Sequence, residues 1–200
     1  MLSKLKVSFL KRFFKTALLW WRYWSYLFRW LHHSKYKNVR LETGLDYKTV
    51  LRRLMILQWT KDGTKELWDA CGSPHWVQFA IDEMRLRSGR QPKGGLDCDD
   101  FTSWALAALH PKYDARILQV AWLDQDGLPR GHVMCMCRTK EGKVFHIGNW
   151  GKSDVRDFPE ELVEDVLLRA KASELIGWSI MRPDLSIIRC DTYLPLSSPR

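Results

Sequence analysis

The sequence predicts an α+β protein in which helices come first, an antiparallel sheet follows, and an N-terminal amphipathic helix precedes both. Three observations carry this. Residues 2–31 hold no Gly or Pro, and three shorter stretches before residue 111 repeat their apolar residues at helical spacing. From residue 115 the apolar period falls to two, with turn formers between the runs. One further helical stretch, 159–172, interrupts that second half, which suits an antiparallel sheet with segregated helices. At 200 residues and 46% apolar, the chain can bury one sizeable core plus an appendage.

The first stretch reads LSKLKVSFLKRFFKTALLWWRYWSYLFRWL. Lys4, Lys11, Lys15, Arg22 and Arg29 follow one another at steps of 7, 4, 7 and 7, so a helix stacks them in one stripe. Lys6 and Arg12 fall off it, and the remaining circumference is mostly Leu, Phe, Trp, Tyr and Val. Residues 1–40 contain ten Lys or Arg and no acid, leaving 22 of the 32 bases against all 23 acids in the rest, so the net charge of +9 belongs to this segment. A basic stripe on an aromatic helix suits an anionic bilayer surface. Packing on another subunit or on its own domain is the competing expectation, and nucleic acid is the least suited partner. No window of about 18 residues lacks charge, which argues against a simple span. The pattern fades at residues 32–37, so the chain divides into 1–35, helix and linker, and a domain over 36–200.

Within that domain, residues 46–58 read as a helix capped by Asp46. A second helix starts with Ser73 as cap and Pro74 in its first turn and stops at Gly89. The turn-rich RQPKGGLD leads to CDDFTSWALAALH, a third helix ending before Pro111. Residues 115–123, 131–139, 144–150, 177–182 and 186–189 read as strands, with hairpin chemistry in KEGK. The five cysteines fit no disulfide framework, which points to a reducing, intracellular setting. No secretory signal peptide is evident.

The segment with chemistry in it is Gly94-Gly95-Leu96-Asp97-Cys98-Asp99-Asp100-Phe101. It delivers a cysteine to the first turn of an apolar helix. There the unpaired backbone N–H groups and the helix dipole favour a thiolate and later an oxyanion. Asp97, Asp99 and Asp100 oppose the thiolate, so a nearby imidazole is needed to outweigh them. His132, opening the strand HVMCMCRT, is the candidate base, and Asn149 on the next strand is the candidate third member that orients it. His146 is the fallback, because alternation sends His146 and Asn149 to opposite faces. Each residue also has an ordinary reading: Cys98 as a small hydrophobe, His132 as a structural strand residue, Asn149 as a turn residue, Asp99 and Asp100 as first-turn acids. A zinc site from Cys98, His132, Cys135 and Cys137 fails on alternation, since His132 and the two strand cysteines lie on opposite faces. No metal or cofactor is expected.

Gly95-Leu96-Asp97-Cys98-Asp99-Asp100-Phe101, then Gly131-His132-Val133, then a strand ending in Asn149, resembles the transglutaminase-like superfamily, especially its bacterial cysteine peptidases. The likeness covers about residues 70–150. It implies a papain-like fold and a metal-free thiol enzyme that hydrolyses or transfers peptide or isopeptide acyl groups through a thioester. Cys98 would be the nucleophile, His132 the base and Asn149 the orienting residue, with Gln91 or the Cys98 backbone N–H as oxyanion donor. Many relatives carry Asp at the third position, where this chain has Asn149. The alternative expectation is a catalytically inactive version of the fold, serving as an interaction protein in a viral particle or a membrane-associated assembly.

Overall fold

The computed structural model describes residues 2–57, 71–86 and 96–194. The protein is mixed α+β, with five helices and six strands among the described residues. In chain order these are α1 (Leu2–Tyr36), α2 (Tyr47–Leu54), α3 (Pro74–Leu86), α4 (Cys98–Leu109), β1 (Asp114–Leu123), β2 (Pro129–Arg138), β3 (Val144–Gly148), β4 (Gly151–Lys152), α5 (Pro159–Arg169), β5 (Glu174–Met181) and β6 (Ile187–Asp191). The strands form one antiparallel sheet in the order β4-β3-β2-β1-β5-β6. The β1–β2 hairpin turns where the Asp124 carboxylate accepts from the N–H groups of Asp126 and Leu128, with Gly127 at φ +72°.

Alternation along the strands decides what each sheet face buries. One face sends Ile117, Val133, Cys135, Cys137, Phe145 and Ile147 against α4, whose Phe101, Trp104, Ala105, Ala108 and Leu109 are buried there. The opposite face sends Leu118, Val120, Met134, Met136, Val144, Trp178 and Ile180 against Leu162, Val163 and Val166 of α5. Hydrogen bonds fix the helices around these cores. Asp46 caps α2 through the Thr49 N–H, and the indole of the fully buried Trp104 donates to Gln78 of α3 over 2.8 Å.

Two expectations about the N-terminus need correction. The helix does not end near residue 31; it continues to Tyr36, because His33, Ser34 and Lys35 keep helical geometry although they lack the apolar pattern. Nor is it an appendage. Val7 and Phe14 pack with Leu123 and Ile176 of the sheet, and Leu18 and Trp21 join the core that holds α4. Gly177 allows the approach: a Cβ there would stand 2.5–2.7 Å from the Phe14 ring. The Ser25 hydroxyl, fully buried on the same side of α1, accepts from the Cys71 N–H over 3.0 Å. In the second half, β3 stops at Gly148 rather than at 150, and β5 starts earlier than the alternation predicts.

Candidate functional site

Cys98 is the first residue of α4 and is partly exposed. The motif around it works mainly as a helix start. Asp97 is the N-cap, its carboxylate accepting from the Asp99 N–H over 3.2 Å. Asp100 accepts from the Gly72 N–H over 2.8 Å, and Ser103 donates to the Gly72 carbonyl over 2.8 Å, so the turn before α3 is latched to α4. Asp97, Asp99 and Asp100 are all buried, and they offer carboxylate oxygens within 4.8 Å of one another. That is a hard-cation donor set, but Asp97 and Asp100 already serve backbone N–H groups.

His132 lies elsewhere. It shares its face of β2 with Met134 and Met136, the face that α5 covers, whereas Cys98 packs with the core on the α4 side. Its ring stacks on Trp150 at 4.0 Å between centroids and 20° between planes, and its Nε2 comes near the space left by Gly148, which has no side chain. The thiol–imidazole pairing expected of Cys98 and His132 is therefore not formed: the sheet separates them. The physical reason is phase. Val133 points toward α4, so its neighbour His132 must point away.

The face that receives His132 holds a different cluster. His146 of β3 is also buried, and its backbone N–H donates to the Ser153 hydroxyl over 2.9 Å. The Arg169 guanidinium of α5 stands 5.3 Å from the Trp150 ring. Burial pushes the His132 imidazole down to about 3, with the charges of His146 and Arg169 adding to the effect. His146 is pushed down to about 4, again by burial; Asp165 opposes this, while Arg169 and Lys152 reinforce it. Both rings are neutral at pH 7, and neither His132 Nε2 nor His146 Nδ1 has a hydrogen-bond partner among the described residues. Asn149 lies in the turn after β3, partly buried, with its Oδ1 likewise unpartnered. Gln91, the expected oxyanion donor, lies outside the described residues.

No protein-family model matches this chain, and comparisons with curated proteins and with solved structures likewise find no match.

The second notable surface is the outside of α1. Phe9, Phe13, Leu19, Trp20, Tyr23, Leu27, Trp30 and Leu31 are all exposed, with Trp20 at 59%, Tyr23 at 62% and Trp30 at 67%. These positions fall on the side of the helix opposite Val7, Phe14, Leu18, Trp21 and Ser25. The helix is thus apolar on two sides. The basic stripe runs beside the buried side: Lys11 pairs with Glu174 over 3.0 Å, and Arg29 donates to the Pro183 carbonyl over 2.6 Å. Arg12 and Lys15 remain exposed along the flank of the aromatic face. No helix among the described residues is long and apolar enough to cross a membrane.

Trp150, Arg169 and Asp165 were not singled out by sequence reasoning. The alternation that grouped His132 with Met134 and Met136 was the signal available. It could not say which face α4 would take.

Proposed function

We propose that this chain is a non-catalytic interaction protein that docks on an anionic membrane surface through the outer face of α1 and displays its α+β body from there. One observation carries the reading: eight large apolar side chains, three of them Trp or Tyr more than half exposed, lie along one side of a single helix. Monomeric proteins rarely leave so continuous an apolar surface uncovered. The occupant follows from charge. Arg12 and Lys15 stay exposed beside this face and residues 1–40 hold no acid, so a second copy laid on it would bring like charges together, whereas anionic headgroups would complement them. The papain-like arrangement implied by the DCDDF motif enters this reading as a scaffold: a cysteine-bearing helix on an antiparallel sheet, with His132 turned away from Cys98.

Co-sedimentation with phosphatidylcholine vesicles, with and without a quarter of phosphatidylserine, tests the reading. The full chain is expected to pellet with the anionic vesicles, to be released as salt rises, and to bind about tenfold or more weaker as the Trp20→Ser, Trp30→Ser double variant. A chain that stays in the supernatant with anionic vesicles, or binds both compositions equally at every salt concentration, overturns it.

A second reading has one observation in its favour. Cys98 is partly exposed in the first turn of α4, where helix N–H groups favour a thiolate, so a thiol hydrolase or acyltransferase acting on peptide or isopeptide amides through Cys98 remains a proposal. It would need a base other than His132. Turnover of a peptide or isopeptide amide that disappears in Cys98→Ala and persists in His132→Phe would support it. The absence of any Cys98-dependent thioester would sink it.

A further inference from the structure

A cleft of about 660 Å³ opens between the C-terminal part of α1, α4 and the start of β1. Leu106, Ala107, Pro111, Tyr113 and Pro183 give it apolar walls. Among its described lining residues the charges do not balance. Arg116 is neutralised by Asp114 at 2.6 Å, but Arg29 reaches in from α1 with its guanidinium on the Pro183 carbonyl and, at 2.9 Å, on the Cys71 sulfur. No carboxylate among the described residues forms an ion pair with Arg29, and its Nε is buried without a hydrogen-bond partner. A cation held at the edge of a low-dielectric cleft without a counter-ion attracts an anion, and apolar walls of this extent attract an apolar body. The size and the balance of lining suit a small-molecule site.

We propose that this cleft binds a single-chain anionic amphiphile, with its charged head on Arg29 and its alkyl chain along Leu106, Tyr113 and Pro183. The site is separate from the outer face of α1, since Arg29 and Trp30 project from different sides of the helix. Arg29 belongs to α1 and the remaining walls to the body, so an occupant would also tie α1 to α4.

The test is a fluorescence titration of the full chain with 11-(dansylamino)undecanoate below its micelle concentration. Saturable binding of one probe per chain is expected. Dodecanoate and dodecyl phosphate should displace it, because the head is read by charge, and dodecanol should not. Arg29→Gln should weaken binding about tenfold, the scale of one charge-assisted hydrogen bond. Ala107→Trp, which puts an indole into the cleft and leaves the Arg29 charge in place, should abolish it, and a far-UV spectrum matching the parent checks that each variant is folded. The Trp20→Ser, Trp30→Ser variant should bind the probe as the parent does. The proposal is overturned if the probe does not bind, if dodecanol competes as well as dodecanoate, if Ala107→Trp leaves the titration unchanged, or if the outer-face variant loses the signal.

Discussion

Mild acid should destabilise this protein through His132 and His146. Unfolded, each imidazole takes up a proton near 6.5. Folded, His132 does so only near about 3 and His146 near about 4, because both rings are buried and Arg169 faces them. Between these values the unfolded chain binds more protons than the folded one. Stability is therefore complete above about pH 6.5 and declines as pH falls toward 4. Moving from pH 7 to pH 5 costs about 2 kcal/mol per ring, at about 1.36 kcal/mol per pH unit below 6.5, and about 4 kcal/mol for the pair. That is a large part of an ordinary domain's stability. Asp46 and Asp124, both held below the usual carboxylate range by backbone N–H donors, remain ionised through this window. Urea unfolding followed by far-UV circular dichroism at pH 7 and pH 5 measures the difference. His132→Phe keeps an aromatic ring over Trp150 and removes the titrating group, so it should recover about half of the acid loss. A parent stability that changes by less than about 1 kcal/mol between the two pH values would refute the reasoning, as would an undiminished loss in both His132→Phe and His146→Phe.

Two structural predictions accompany it. Gly177→Val places a side chain where the Phe14 ring already stands and should lower stability by about 1–3 kcal/mol; thermal melts would show whether α1 loosens. Asp100→Ala leaves the buried Gly72 N–H without its acceptor and should cost about 1–3 kcal/mol, whereas Cys98→Ala, at a partly exposed position, should change stability by less than about 1 kcal/mol in the same denaturation assay.

The individual elements were the most legible part. Asp46 and Ser73 with Pro74 mark where α2 and α3 begin, because capping depends on residues one to three positions apart, and the turn-rich run before Cys98 marks the start of α4. The β2–β3 hairpin at KEGK and helix α5 were legible from equally local signals. The Cys98 motif was legible as a helix start, and its three aspartates proved to be buried parts of that start. Trp150 gave no such signal: its place beside His132 depends on β3 ending two residues early, at Gly148, so that the turn folds the indole over the imidazole.

By itself, the sequence determined the helix-then-sheet order, the concentration of cations before residue 41, and the opposite facing of His132 and Cys135 along β2. Each of these follows from short-range periodicity or from composition. Only the tertiary structure decided that α4 packs on the Cys135 side of the sheet, that α5 closes over His132, and that α1 lies against the sheet with half its aromatic residues left outside. Both faces of the central strands are apolar enough to receive a helix, so the choice between them rests on how all the layers pack together, which no local pattern encodes.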